Sequence, residues 1–176
     1  MKPALSPIQK KIEPVDVIFR PILPEDDEAV ARLIRSVMTE YNCTDEGYSI
    51  HDPELDTMYD NFNRDRAIYW VVLHPATGEI AGGGGIGPLT DAEAGTCELK
   101  KMYFYPELRG LGLGERMVTL CLETAKKLGY QRCYLETVDR MKRANKLYRK
   151  MGFHRLDAPM GNTGHCSCEG WFLREF

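Results

Sequence analysis

Between Cys97 and Leu128 the chain reads CELKKMYFYPELRGLGLGERMVTLCLETAKKL, and this stretch constrains the fold more than any other. Cys97–Tyr105 is rich in aromatic and apolar residues and ends at Pro106, as a buried strand would. Three glycines then fall within five positions (Gly110, Gly112 and Gly114), leaving the backbone free to expose its N–H groups. From Glu115 onward Met117, Leu120, Cys121, Ala125 and Leu128 recur with the helical period, and Gly129 stands where a C-cap belongs. A strand that runs through a glycine turn into a helix N-terminus gathers unpaired N–H groups and the positive end of a dipole at one place. That is an anion site, suited to phosphate or pyrophosphate, although many such turns only cap a helix. No Gly-Lys-Ser/Thr closes the turn, so it is not a P-loop, and Glu115 replaces the last glycine of a dinucleotide fingerprint.

The rest of the chain alternates strands and helices around this unit. Val15–Arg20 reads as a short strand, and Pro24 with the acids after it opens an amphipathic helix through Val30, Leu33, Ile34, Val37, Met38 and Tyr41. Asp52-Pro53 predicts the cap and first position of a second helix, running to Phe62. Ala67–Leu73 and Glu79–Ile86 form a hairpin. Its return strand spells Gly82-x-Gly84-x-x-Gly87, but no helix follows, so the pattern reads as close backbone approach rather than a cofactor loop. Cys133–Val138 is a further buried strand, Asp139 can cap a helix over Met141–Met151, and Phe153–Leu156 and Trp171–Phe176 supply two final strands. The expected fold is α/β, with a mixed sheet of about seven strands and about four helices on its two faces.

At 176 residues and 43% hydrophobic, the chain suits one domain over 15–176 behind a polar flexible tail over 1–14 that lacks a signal-peptide core. The absence of long apolar runs predicts no membrane span, and scattered single cysteines fit a cytoplasmic protein. A net charge of −3 argues against nucleic acid as partner. Lys100, Lys101, Arg109 and Arg116 nevertheless bracket the glycine turn as a local basic patch, or as ordinary solvated surface. Monomer and homodimer are both compatible with the sequence.

Arg109-x-x-Gly112-x-Gly114 resembles the (Q/R)-x-x-G-x-(G/A) motif of GNAT N-acetyltransferases, and Ala144-Asn-Lys-Leu-Tyr148-Arg-Lys-Met-Gly152-Phe153 resembles that family's A-x-x-L-Y-x-x-x-G-F ending. The resemblance implies a GNAT-like fold that binds acetyl-CoA in an opening between the fourth and fifth strands. It places Arg109, Gly110, Leu111, Gly112, Leu113 and Gly114 at the pyrophosphate through backbone N–H groups. Met102, Tyr103 and Phe104 come to lie along the pantetheine, with the Met102 amide aimed at the thioester carbonyl. Such a donor contributes about 3–4 kcal/mol. Many members carry asparagine seven residues before the tyrosine; here Met141 stands there, and the nearby Asn145 falls on another face. Asn145 is retained as a candidate for that contact.

Glu98, eleven residues before Arg109, matches the position of the general base in some members, and Tyr148 matches the general acid that protonates the CoA sulfur. Without the resemblance, Glu98 reads equally as a strand glutamate paired to Lys100, and Tyr148 as packing on a helix face. His165-Cys166-Ser167-Cys168 sets its ligands too close together, with no second cysteine or histidine pair elsewhere, and makes a poor zinc site, so no metal is expected. Thr163 and His165 fall in a loop that borders the acceptor pocket of this fold, as substrate contacts or as hydrogen-bonded loop residues. The implied activity is acetyl transfer from acetyl-CoA to a primary amine of a small molecule or amino acid, by direct attack in a ternary complex. A CoA-binding sensor that has lost catalysis and a nucleotide-binding module are the competing readings.

Overall fold

The seven strands β1 (Ile18–Pro21), β2 (Ile68–Leu73), β3 (Ile80–Pro88), β4 (Thr96–Phe104), β5 (Arg132–Thr137), β6 (His154–Leu156) and β7 (Gly170–Glu175) form one sheet in the order β1-β2-β3-β4-β5-β7-β6. The computed structural model describes residues 17–176; the expected tail over 1–14 lies outside the described residues, as does the start of the expected first strand. Every neighbouring pair is antiparallel except β4–β5, which is parallel. Parallel neighbours need a crossover, and α3 (Leu113–Lys127) provides it. With α1 (Asp27–Glu40), α2 (Met58–Phe62) and α4 (Lys142–Lys150), the described residues form a mixed sheet of seven strands with four α-helices, the expected α/β layers.

Alternation along the strands divides the core. Val71 joins the apolar cluster under α1 and α2, while Val72 joins the one under α3 and α4. Fully burying a side chain such as Leu33 or Ile34 on α1 contributes about 1.5–3 kcal/mol. The glycine run of β3 lets aromatic rings cross the sheet. A Cβ on Gly82 would lie 2.4 Å from Phe104 Cδ1, and one on Gly83 2.5 Å from the Tyr69 hydroxyl. This is the close approach read from the sequence.

Two helix starts differ from expectation. Residues 49–57 form the 3-10 turns Ser49–His51 and Pro53–Thr57, and only Met58–Phe62 is α-helical. Asp52 does not cap, because its carboxylate is taken by Lys101 and His165. Asp139 does not cap α4 either; it pairs with Arg155 at 2.8 Å, and Met141 occupies the N-cap without a side-chain bond.

The register between β3 and β4 slips once: Gly83 faces Tyr103, but Gly85 faces Lys100. The extra β4 residue makes a bulge, and Lys101 there adopts a left-handed conformation (φ 54°). A bulge breaks the alternation of faces, so the consecutive residues Lys100 and Lys101 both reach Glu54, at 3.0 and 3.2 Å.

Candidate active site

β4 and β5 pair only through Thr96–Arg132, Cys97–Cys133 and Glu98–Tyr134. Past Glu98 the two strands part, leaving Leu99–Phe104 with no partner on that side. A sheet that opens in this way presents an unpaired edge to which an extended ligand can add.

At the mouth of the opening lies the glycine turn. Gly110 and Gly112 have φ of 76°, and nothing lies within 4 Å of a Cβ built on either. Glycine is thus required by backbone conformation, not by space. Gly112 is the N-cap of α3, with no side chain bonded to the helix end. Among the described residues, the N–H groups of Gly110, Leu111 and Gly112 have no protein acceptor, and those of Leu113 and Gly114 begin the helix, where none is available. Arg109 differs from the expectation drawn from the motif. Its N–H is bonded to the Pro106 carbonyl, and its guanidinium clasps Glu40 at 2.6 and 2.7 Å and the Phe104 carbonyl at 2.8 Å. It braces the turn against α1. The other members of the expected basic patch are also engaged: Lys100 and Lys101 with acids, and Arg116 with the Val17 carbonyl and the Phe19 ring.

From this turn a channel of about 160 Å³ runs inward past Tyr41, Arg109, Arg143, Phe104 and Met102. Arg143, in the first turn of α4, is a lining cation that no motif marked. Leu111 packs on the core from partial exposure, and Leu113 is buried. The channel shares Met102, Tyr103, Met141 and Ala144 with a deeper cavity of about 70 Å³, so the two adjoin along a common wall. Asn145 lines neither. Its side-chain N–H₂ group holds the Val138 and Met141 carbonyls at 3.0 and 2.9 Å, tying β5 to α4, while Met141 faces the channel. The asparagine contact expected along the channel is therefore not made by Asn145; helical geometry turns it inward.

The deeper cavity brings together Glu98, Tyr148, His165, Glu136 and Cys168, from two strands, a helix and a loop. Glu98 is 6% exposed. Burial pushes its carboxyl up to about 7; Lys100, His165 and Lys101 pull it down, and Glu136 pushes it up. Burial holds the Tyr148 phenol above its ordinary range, so it keeps its proton. Among the described residues neither group has a protein hydrogen-bond partner, although both line the cavity. The alternative pairing of Glu98 with Lys100 is not made, since Lys100 binds Glu54.

Thr163 and His165 sit on the far wall. The Thr163 hydroxyl donates to Glu136 Oε2 at 2.8 Å, and His165 Nε2 lies 2.8 Å from Asp52. A wider recess of about 440 Å³, lined by Asp52, Glu54, Lys100, Thr163 and His165, opens beside it to solvent. For Asp52 and Glu54, burial raises the carboxyl pKa, but His165 with Lys101, and Lys101 with Lys100, respectively outweigh it and hold both below the usual range. Glu136, Asp52 and Glu54 were missed by motif reading. The alternation of β5 (Tyr134 and Glu136 on one face, Leu135 on the other) was the available signal for the first.

No helix of the described residues is long and apolar enough to cross a membrane. The family model described as Acetyltransferase (GNAT) family matches residues 34–153. The chain is 44% identical over 165 residues to the uncharacterized N-acetyltransferase YjgM of Escherichia coli (strain K12), covering 93% of this chain and 98% of that one. Its fold is similar to a GNAT acetyltransferase of Staphylococcus aureus Mu50 (TM-score 0.80, 20% identity, 90% and 98% of the two chains covered). It is also similar to the PaiA N-acetyltransferase of Thermoplasma acidophilum, solved in complex with coenzyme A (TM-score 0.68, 18% identity, 91% and 99% covered). A split sheet edge, an anion-ready helix end and a matching family model across most of the chain agree: this protein belongs to the GNAT acetyltransferase family.

Proposed function

We propose that the protein moves the acetyl group of acetyl-CoA to a primary amine of a small molecule or amino acid, by direct attack while both reactants are bound. One observation carries this reading: a buried carboxyl with its pKa near 7 and a protonated phenol line one cavity, which adjoins a channel ending at an unsatisfied helix N-terminus. The channel suits CoA, because the free N–H groups at Gly110–Gly114 would hold the pyrophosphate and the unpaired edge at Met102–Phe104 would line the pantetheine. When bound, acetyl-CoA supplies an activated acetyl thioester.

The chain's own residues then divide the proton work. Glu98, deprotonated above about pH 7, takes the proton of the entering ammonium, leaving a nucleophilic amine. Tyr148 holds a proton at its hydroxyl for the departing sulfur. The walls position both reactants and exclude water, which converts a bimolecular encounter into an oriented one. The recess lined by Asp52, Glu54, Lys100, Thr163 and His165 gives the acceptor a polar entrance.

The test is thiol release from acetyl-CoA over a panel of amines and amino acids, with Tyr148→Phe in parallel. Acceptor-dependent release that falls in the variant supports the proposal. Tight acetyl-CoA binding with no release across amine classes would favour a sensor, and absence of binding would overturn the reading of the glycine turn.

A further inference from the structure

Glu136, His165 and Cys168 each bring one ligand atom within 4.8 Å of the other two. Glu136 comes from β5, and the other two from the loop before β7. By sequence the segment holding His165, Cys166 and Cys168 is a poor zinc site, but the fold brings Glu136 to His165 and Cys168 from a distant strand and leaves Cys166 exposed, outside the cluster. We propose that these three side chains form a binding site for a borderline divalent transition ion of the Zn²⁺ class, with a fourth position open to the active-site cavity.

Donor chemistry and surroundings support this. Carboxylate, imidazole and thiolate together are a zinc-type set, and three protein ligands with an open position are the arrangement of reactive rather than structural sites. Carboxylate and thiolate neutralise a divalent ion, and the Cys168 proton leaves to solvent on binding. A tetrahedral ion holds such donors about 3.3–3.6 Å apart. His165 Nδ1 and Glu136 Oε2 already lie 3.8 Å apart, so side-chain rotations of about an ångström close the cluster.

The outer contacts are those that orient metal ligands. His165 directs its other nitrogen, Nε2, at Asp52 at 2.8 Å; a neutral imidazole donating there would present its Nδ1 lone pair to the cluster. Glu136 is held by the Tyr134 hydroxyl at 2.7 Å on Oε1 and by the Thr163 hydroxyl at 2.8 Å on Oε2. All three ligands line both the 70 Å³ cavity and a shallower depression of about 230 Å³ along the 159–168 loop. The depression is an entry path; the cavity is where the fourth ligand, water or a donor atom of a bound small molecule, would sit.

The experiment uses the full chain, dialysed against Zn²⁺ and then against metal-free buffer, with Co²⁺ as a spectroscopic probe. We expect a single retained ion per chain, and a thiolate-to-cobalt charge-transfer band that persists in Cys166→Ser and disappears in Cys168→Ser. Asp52→Asn, which withdraws the outer contact on His165 along with an ion-pair partner of Lys101, should weaken Zn²⁺ affinity of the folded variant roughly 10–100-fold. No charge-transfer band in the wild-type protein would overturn the proposal without recourse to any variant. A band that survives Cys168→Ser, or vanishes in Cys166→Ser, would overturn it equally; circular dichroism confirms that each variant is folded.

Discussion

Replacing Glu98 with glutamine tests the base assignment through two independent readouts. The carboxyl is buried, and its pKa is about 7 against an ordinary 4.5. As a base it must be ionised, so kcat/KM for one acceptor should rise about tenfold per pH unit below 7 and then level off. The Glu98→Gln variant should lose this limb and run roughly 10²–10⁴-fold slower, leaving only the limb belonging to the amine itself. The second readout is stability. Because the folded-state pKa lies above the unfolded value, the folded protein binds more protons between pH 4.5 and 7, and the contribution of Glu98 to stability falls as pH rises through that window. A shift of this size corresponds to about 3 kcal/mol at most. Urea unfolding at pH 4.5 and pH 8 should therefore show the wild-type protein losing up to about 3 kcal/mol relative to Glu98→Gln. A limb near 7 that survives in the variant, or unfolding curves with the same pH dependence in both proteins, would refute the assignment.

Three further perturbations separate other parts of the site. Tyr148→Phe should lower turnover by roughly 10²-fold while leaving CoA affinity, read by calorimetry, nearly unchanged, since the phenol has no other protein partner among the described residues. Gly112→Ala forces a Cβ into a left-handed position with no steric contact around it; it should cost about 1–2 kcal/mol in thermal unfolding and weaken CoA binding. Asp52→Asn leaves Lys101, whose side chain is 1% exposed, with Glu54 as its remaining ion-pair partner, and should destabilise the fold by about 2–3 kcal/mol in urea titration. That loss should fade in the wild-type comparison as pH falls through the depressed Asp52 pKa, below the usual carboxylate range.

Local order in the chain was enough to determine the layers. Helical periodicity in α1 and α3, apolar runs in β2, β4 and β5, and the glycine turn between β4 and α3 each reflect interactions spanning a few residues, and those are legible one stretch at a time. The glycine turn also announced a helix end with unsatisfied N–H groups, because backbone conformation and helix end are local properties. Only the tertiary structure decided what converges on the cavity. Asp52 looked like a helix cap until Lys101 and His165 claimed its carboxylate. Lys101 looked like part of a basic patch around the glycine turn until a one-residue bulge turned it toward Glu54. Glu136 looked like a residue of a buried strand until the loop before β7 placed Thr163, His165 and Cys168 beside it. Each of these depends on a partner distant along the chain, so neither propensity nor spacing encodes it. The raised pKa of Glu98 has the same origin: a carboxyl is perturbed by the dielectric and charges around it, and those exist only once the sheet has split and the helices have closed over it.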